Sequence, residues 1–195
     1  MASAIKNIYK ESNLDKLINR TIASTSGSIS NIGNSAFAYC SALTTASFPV
    51  ATNIGDHAFY YCTRLTTVSF PAAISIESGV FQTCTALKTA SFPVVTSIGA
   101  NAFAYCSALM TANFPAATNI VGNRAFLNCC RLISLYLTSV SSVPTLGNYA
   151  FSSTPIDGYS TVAGRYGSVY VPASLYSSFL TATNWASISS RIVSI

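Results

Sequence analysis

The chain has 195 residues, of which half are hydrophobic and only 8% are charged, and its formal net charge is +5. This length suits a single domain with a continuous core. No stretch reaches the roughly 18 uninterrupted apolar residues of a membrane-spanning helix. The ten basic residues are scattered along the chain, and because a phosphate-binding surface needs them clustered, we expect no nucleic-acid partner.

The first part of the chain, residues 1–27, differs from the rest by its alternation of charged and apolar residues. The apolar residues fall at helical spacing, at Ile5, Ile8, Tyr9, Leu14, Leu17 and Ile18. This pattern predicts one or two amphipathic helices. Such helices would cover the first repeat, support an oligomer or larger assembly through residues 1–24, or lie on a membrane surface. Residues 1–20 have no apolar h-region, so we recognise no secretory signal in the sequence as it stands.

A short phrase, Ala or Val followed by Phe and then by Cys three residues later, recurs at a nearly fixed distance. Its copies are Ala36-Phe37-x-x-Cys40, Ala58-Phe59-x-x-Cys62, Val80-Phe81-x-x-Cys84, Ala102-Phe103-x-x-Cys106 and Ala125-Phe126-x-x-Cys129, with a period of 22 residues three times and then 23. A period of this size is typical of a solenoid, in which each unit buries its apolar side against its neighbours.

Each repeat divides into a turn, a compact segment and a strand. An Ile-Gly pair precedes most copies and predicts a tight turn with Gly at positive φ; Glu77 replaces that Gly once and predicts a different turn or local strain. Phe and Cys, three apart, would share the inward face of a short helical turn. The next residues alternate and predict one strand per repeat. Strands stacked in parallel would place Phe48, Phe70, Phe92, Phe114 and Leu137 in one buried column.

Neither the cysteines nor the single histidine indicates a metal site or a catalytic site. A column of thiols could hold metal or form disulfides, but parallel side chains in an apolar core fit small buried residues better, so we expect free thiols and no metal. Cys130 falls outside the column and would be the exposed thiol. His57 occupies a variable turn position. No catalytic triad or carboxylate pair can be assembled, and we expect neither enzyme activity nor a cofactor.

Beyond the repeats, the sequence changes character again. Residues 155–167 are rich in Gly and predict a loop. The alternation at Val169 and Val171 predicts a last strand, and Ala173 to Leu180 predicts a short helix over the final repeat.

The phrase Ile-Gly-x-x-Ala-Phe-x-x-Cys-x-x-Leu-x-x-x-x-Phe-Pro resembles the BspA-type leucine-rich repeat of bacterial surface proteins and of some phage and protist proteins. The resemblance covers about residues 28–152, and Phe151 is not followed by the usual Cys. It implies an α/β solenoid with a parallel sheet on one face and short helical turns on the other. We divide the chain into residues 1–27 (a helical cap or docking segment), 28–154 (repeats) and 155–195 (a loop and a capping module similar to one found in gut Firmicutes and their prophages).

In leucine-rich repeats the exposed sheet is the usual ligand-binding face, so the resemblance implies contacts from its outward residues. These are Thr45, Ser47, Thr67, Ser69, Lys88, Thr89, Ser91, Met110, Thr111, Asn113, Ser134 and Tyr136. Threonine and serine also simply suit a solvated strand. A second candidate surface is the turn side, with Tyr39, Tyr60, Tyr61 and Tyr105, where tyrosines act as recognition anchors or as half-buried spacers.

These features predict a non-catalytic recognition or adhesion protein that binds a protein or glycan at a cell surface. The alternative is a structural or receptor-binding component of a phage tail or virion, docked through the N-terminal helices. The expected location is correspondingly extracellular, at the cell surface, or on a virion.

Overall fold

The computed structural model describes residues 21–23, 29–120, 122–158 and 165–195, which form a parallel β-solenoid. Of residues 1–27, predicted as a helical segment, only Thr21–Ala23 are described, and they form strand β1 paired with the strand Thr45–Ser47, so the helical prediction is wrong there. Residues 1–20 and 24–27 lie outside the described residues. In chain order the strands are β1 (Thr21–Ala23), β2 (Asn31–Ile32), β3 (Thr45–Ser47), β4 (Asn53–Ile54), β5 (Thr67–Ser69), β6 (Ser75–Ile76), β7 (Thr89–Ser91), β8 (Ser97–Ile98), β9 (Thr111–Asn113), β10 (Asn119–Ile120), β11 (Ser134–Tyr136), β12 (Thr145–Leu146), β13 (Ser168–Val171) and β14 (Ile192–Ser194).

Each repeat contributes two short strands, where the sequence predicted one. The two-residue strands form a sheet in the order β12-β10-β8-β6-β4-β2, and the longer strands lie on another face. Equivalent residues pair in register, as Thr45 does with Thr67 and Thr89 with Thr111. None of the repeat residues in 29–120 and 122–154 is helical. The predicted α/β alternation is therefore wrong for the repeats, because a second short strand takes the place of a helix.

The longer strands do not form one continuous sheet, because β5 and β7 are not paired with each other. Strands β1, β3 and β5 form one ladder, and β7, β9, β11, β13 and β14 form a second. Val68, on β5, is only half-buried, although Ala46 and Ala90 at the equivalent positions are fully buried. The polar face that the sequence predicted as one continuous sheet is thus made of two ladders in line.

The Phe-x-x-Cys segment is a series of tight turns and not the predicted helical turn. The N–H of Cys40 donates to the carbonyl of Phe37 at 3.2 Å, but Tyr39 between them has φ of 62°, which a right-handed helix does not accommodate. The equivalent residues Tyr61, Thr83, Tyr105, Asn128 and Ser153 also have positive φ. Other N–H groups bond to the next repeat, as that of Phe37 does to Ala58 at 2.8 Å.

Two columns of phenylalanine fill the core, as predicted. Neighbouring rings in the first column are stacked at 5.2 to 5.6 Å between centroids, through Phe37, Phe59, Phe81, Phe103, Phe126 and Phe151. Those in the second are 5.6 to 6.2 Å apart, through Phe48, Phe70, Phe92 and Phe114. Stacked rings add to the stability gained by burial.

Gly55 and Gly122, at the turn after the inward Ile, are required by close packing between repeats and not, as predicted, by positive φ. A Cβ on Gly55 would lie 2.4 Å from Asn34 Oδ1, and one on Gly122 would lie 1.9 Å from the carbonyl oxygen of Gly99. Positive φ occurs two residues later, at 55° for His57 and 62° for Gly79. Since both repeats share this feature, the different turn predicted from Glu77 is wrong; its carboxylate accepts a hydrogen bond from Ser75 at 2.7 Å.

The C-terminal segment packs on the last repeat. After β13 come a 3₁₀ helix (Ala173–Leu175), the helix α1 (Tyr176–Thr181), a second 3₁₀ helix (Ala186–Arg191) and β14. The predicted strand and helix are thus present, but β14 and not β13 is the final strand, pairing in parallel with β13. The buried Trp185 contacts Phe151 and Phe179.

Candidate functional site

The outward residues of the long strands form the surface that the sequence singled out. Thr67, Ser69, Thr89 and Ser91 are exposed, whereas Thr45, Ser47, Thr111, Asn113, Ser134 and Tyr136 are half-buried. We call these ten residues, with Lys88 and Met110, the sheet face. Its strands alternate as predicted, because Ala46, Ala90 and Ala112 between the outward residues are buried in the core.

Neighbouring threonines at the start of a strand differ in their hydrogen bonds. The hydroxyl of Thr66 donates to the carbonyl of Thr44 at 3.0 Å, so it serves the stacking of repeats. The hydroxyls of Thr67 and Thr89 make no hydrogen bond to other described residues. Farther along, Asn113 Nδ2 donates to Ser91 Oγ at 3.4 Å. The sheet face therefore presents hydroxyls that the fold does not use.

Two larger side chains lie just before the strands, one repeat apart. Lys88 precedes β7 and Met110 precedes β9, and both are exposed. They bring a positive charge and a flexible apolar side chain to one edge of the polar surface.

At the C-terminal end of the sheet face, hydroxyls give way to aromatic rings. Tyr136 on β11 stacks on Tyr170 on β13, with centroids 4.6 Å apart and planes 11° from parallel. The next residue in register, Val193 on β14, is exposed. Sequence reasoning included Tyr136 but missed Tyr170, because the capping module does not follow the repeat period; its alternation with Val169 and Val171 was the available signal.

The tyrosines of the turn side form a cluster. The rings of Tyr39, Tyr60 and Tyr61 lie 5.1 to 5.6 Å apart, and Tyr39, Tyr61 and Tyr105 are exposed. Burial, together with the neighbouring Tyr39, raises the pKa of Tyr60, so this phenol stays protonated at neutral pH. The structure thus brings together the tyrosines that the sequence suggested as a second surface.

A shallow groove of about 680 Å³ runs along the turn side beside these rings. Its lining residues come from four successive repeats, and they are Tyr60, Tyr61, Gln82, Thr83, Thr85, Tyr105, Ser107, Asn128 and Cys130. The tyrosines and Cys130 had been singled out from the sequence. Gln82, Thr83 and Asn128 had not, because they fall at positions whose residue type varies from repeat to repeat.

Four of the five thiols in the cysteine column, those of Cys62, Cys84, Cys106 and Cys129, are buried and hydrogen-bonded. All six cysteines lie among the described residues, and none is in a disulfide. The thiols of Cys62, Cys106 and Cys129 each donate to a phenylalanine carbonyl of the preceding repeat at 3.1 Å. Burial raises the pKa of Cys106 to about 12 and those of the other three buried thiols above their usual value.

Cys130 is half-buried, as Cys40 is, so the prediction of one exposed thiol is wrong. Its sulfur lies 3.6 Å from the carbonyl oxygen of Ser107, which partly covers it.

His57 is half-buried and packs edge-on against Tyr60, at 5.5 Å between centroids.

Within the described ranges, no three His, Cys, Asp or Glu side chains are placed to hold a metal ion together. In the same part of the chain, no helix has both the length and the apolar character needed to cross a membrane.

Two solved bacterial structures are similar to this chain. A leucine-rich cell surface protein from Faecalibacterium prausnitzii is 26% identical with a TM-score of 0.56; the match covers 64% of this chain and 33% of that one. The leucine-rich repeat protein of T. pallidum is 29% identical with a TM-score of 0.57, over 62% of this chain and 60% of that one. The chain thus spans about a third and three fifths of their lengths.

Comparison with curated protein sequences finds no significant match. The family model of the BspA-type leucine-rich repeat region matches six copies, over residues 5–88 and 30–157. This match confirms the resemblance carried by the Phe-x-x-Cys phrase and includes residues N-terminal to the first copy quoted above. The chain therefore belongs to the BspA-type leucine-rich repeat family.

Proposed function

We propose that this chain is a non-catalytic recognition protein of the cell surface, and that it binds a protein partner through the sheet face. Membership of a leucine-rich repeat family supports a binding scaffold, since such repeats typically bind proteins. The Faecalibacterium relative is described as a cell surface protein, which supports the location. Adhesion of the producing cell to a host or to another cell would be the consequence.

The observation that carries this proposal is that strands of the sheet face present hydroxyl groups that make no hydrogen bond to other described residues. Thr67 on β5 and Thr89 on β7 present such hydroxyls. Each is held by the pairing of its own strand, β5 with β3 and β7 with β9. A preorganised surface loses little conformational entropy on binding. Lys88, Met110 and the Tyr136–Tyr170 stack would add the charged and apolar contacts from which strong interfaces take their energy.

The first test is location. Antibody labelling of intact, washed producing cells should detect the protein, and mild protease treatment of those cells should remove the signal. Detection only on phage particles purified after induction would contradict a cell-surface protein and favour the virion alternative.

The second test is the binding surface. A photo-crosslinking amino acid at Thr89 should capture a protein partner on intact cells of the same habitat, and an excess of unlabelled chain should prevent capture. Thr67→Glu should abolish it, because a buried unpaired carboxylate is costly in an interface. Thr183→Glu is the matched control, since Thr183 is exposed in the C-terminal segment and, like Thr67, its hydroxyl makes no hydrogen bond to other described residues. Equal loss of capture in both glutamate variants would contradict binding through the sheet face.

A further inference from the structure

Three exposed tyrosines on the turn side occupy an unfavourable backbone conformation. Tyr39, Tyr61 and Tyr105 have φ of 62°, 62° and 63°, a region in which bulky residues are rare because the side chain crowds the backbone. The next repeat has Asn128 at the same position, with φ of 57°. Asparagine tolerates this conformation well. The fold therefore accepts a small polar residue here, and it does not need the tyrosine rings.

The rings are also not required by the core. Tyr39 is 58% exposed, and Tyr61 and Tyr105 are 43% and 44% exposed, so most of the apolar area of each ring stays in water. Strained residues that persist on a surface are typical of functional sites. Tyr61 and Tyr105 combine this exposure and strain with a place in the lining of the groove, and the combination indicates that these two rings serve a ligand.

The groove beside the rings has the chemistry of a sugar site. Three tyrosines supply aromatic faces, and Gln82 and Asn128 supply side-chain amides. The three hydroxyls of Thr83, Thr85 and Ser107 and the thiol of Cys130 complete the lining. Aromatic faces pack against the C–H groups of a pyranose ring, while amides and hydroxyls pair with its hydroxyl groups in both donor and acceptor roles. The lining residues carry no formal charge, which distinguishes the groove from a site for phosphates or acidic sugars.

We propose that this groove binds a neutral β-linked oligosaccharide, which would lie along the solenoid axis. Equivalent side chains repeat about every 4.8 Å along that axis, a distance close to the length of one sugar unit in an extended β-linked chain. Successive sugars would thus meet equivalent positions of successive repeats. A volume of about 680 Å³ lies within the range of small-molecule sites. This site is separate from the sheet face and does not depend on it.

The test uses cellohexaose, β-1,4-mannohexaose and chitohexaose as probes, measured by isothermal titration calorimetry on the whole chain. At least one should bind, while the α-linked maltohexaose binds more weakly. Tyr61→Asn and Tyr105→Asn should each weaken binding by about tenfold, because one ring contact is lost. Asparagine suits the backbone at both positions, so the variants should fold with an unchanged or higher melting temperature.

Tyr149→Asn is the matched control. Tyr149 is also a tyrosine at positive φ, is 70% exposed and does not line the groove, so its replacement should leave saccharide binding unchanged. Thr67→Glu on the sheet face should leave it unchanged as well. The proposal is overturned if none of the hexasaccharides binds at millimolar concentration, or if the Tyr61, Tyr105 and Tyr149 variants bind saccharide equally well. It is also overturned if Tyr61→Asn and Tyr105→Asn keep full saccharide binding and lose only the binding of the protein partner.

Discussion

The indole ring of Trp185 lies 6.1 Å from the ring of Phe151, the last member of the first phenylalanine column, and its Nε1–H donates to the carbonyl oxygen of Pro144 at 2.7 Å. The C-terminal segment thus ends the stack by covering its final ring. We expect Trp185→Ala to lower the free energy of unfolding by about 3–5 kcal/mol, the usual cost of removing a large buried ring. Urea denaturation followed by far-ultraviolet circular dichroism measures this change.

Trp185→Phe separates the two contributions, because it keeps a ring but loses the hydrogen bond, and it should cost less than the alanine variant. Tyr176→Ala, at an exposed position of α1, is the control and should change stability by about 0.5 kcal/mol or less. A Trp185→Ala protein as stable as this control would show that the last repeat needs no cover.

Glycines at equivalent positions of different repeats should respond differently to alanine. A Cβ on Gly122 would lie 1.9 Å from the carbonyl oxygen of Gly99, whereas one on Gly33 would meet no atom of the described residues within 4 Å. Gly122→Ala should therefore cost about 2 kcal/mol or more through backbone displacement, and Gly33→Ala should be neutral or stabilise by about 0.4–1 kcal/mol. Thermal melts of both variants measure the change in stability. Equal changes for Gly122→Ala and Gly33→Ala would contradict the close-packing explanation.

The buried thiols should make stability fall with rising pH. Burial raises the pKa of Cys106 in the folded state to about 12, whereas a thiol of the unfolded chain titrates near 8.5. The folded state then holds more protons, so this contribution to stability is complete below about pH 8.5 and is lost as the pH rises toward 12. Urea midpoints from pH 7 to 10.5 should decline less steeply for Cys84→Ala/Cys106→Ala. Parallel declines would contradict this origin, because tyrosine and lysine titration is common to both proteins.

Thr83 combines a β-branched side chain with φ of 63°, a pairing that costs energy. Thr83→Asn should raise the free energy of unfolding by about 1 kcal/mol, since Asn128 adopts this conformation at the equivalent position. Thr67→Asn, in an ordinary strand, is the control and should not raise the free energy of unfolding. A destabilised Thr83→Asn variant would mean that the hydroxyl or methyl group makes a contact worth more than the strain.

Burial could be predicted at positions where the same residue type recurs in every repeat. Positive φ could not be predicted, because the repeats share that backbone conformation but not the residue type. Phe59, Phe70 and Cys62 recur at the same positions, so their burial follows from the period. The left-handed positions carry Tyr61, Thr83 and Asn128, whose side chains share no property that would indicate positive φ.

The second sheet was missed for a different reason. A strand of two residues, such as Asn31–Ile32, is too short to show alternation, so the Ile appeared to belong to a turn. The need for Gly122 depends on the carbonyl oxygen of Gly99 in the preceding repeat, and such a contact appears only once the repeats are stacked. The polar sheet face could be predicted because its strands alternate, and the tyrosines of the groove were visible in the sequence, but the polar groove residues Gln82, Thr83 and Asn128 could not be predicted.

Most contacts between repeats join residues one period apart: Thr66 bonds to Thr44, and the backbone N–H of Ser78 to Asp56, each 22 positions back. A gene that gained or lost one such unit by unequal recombination would encode a chain in which every remaining repeat still meets an equivalent neighbour. The lengths of the sheet face and of the groove can therefore change in steps during evolution while the core stays the same.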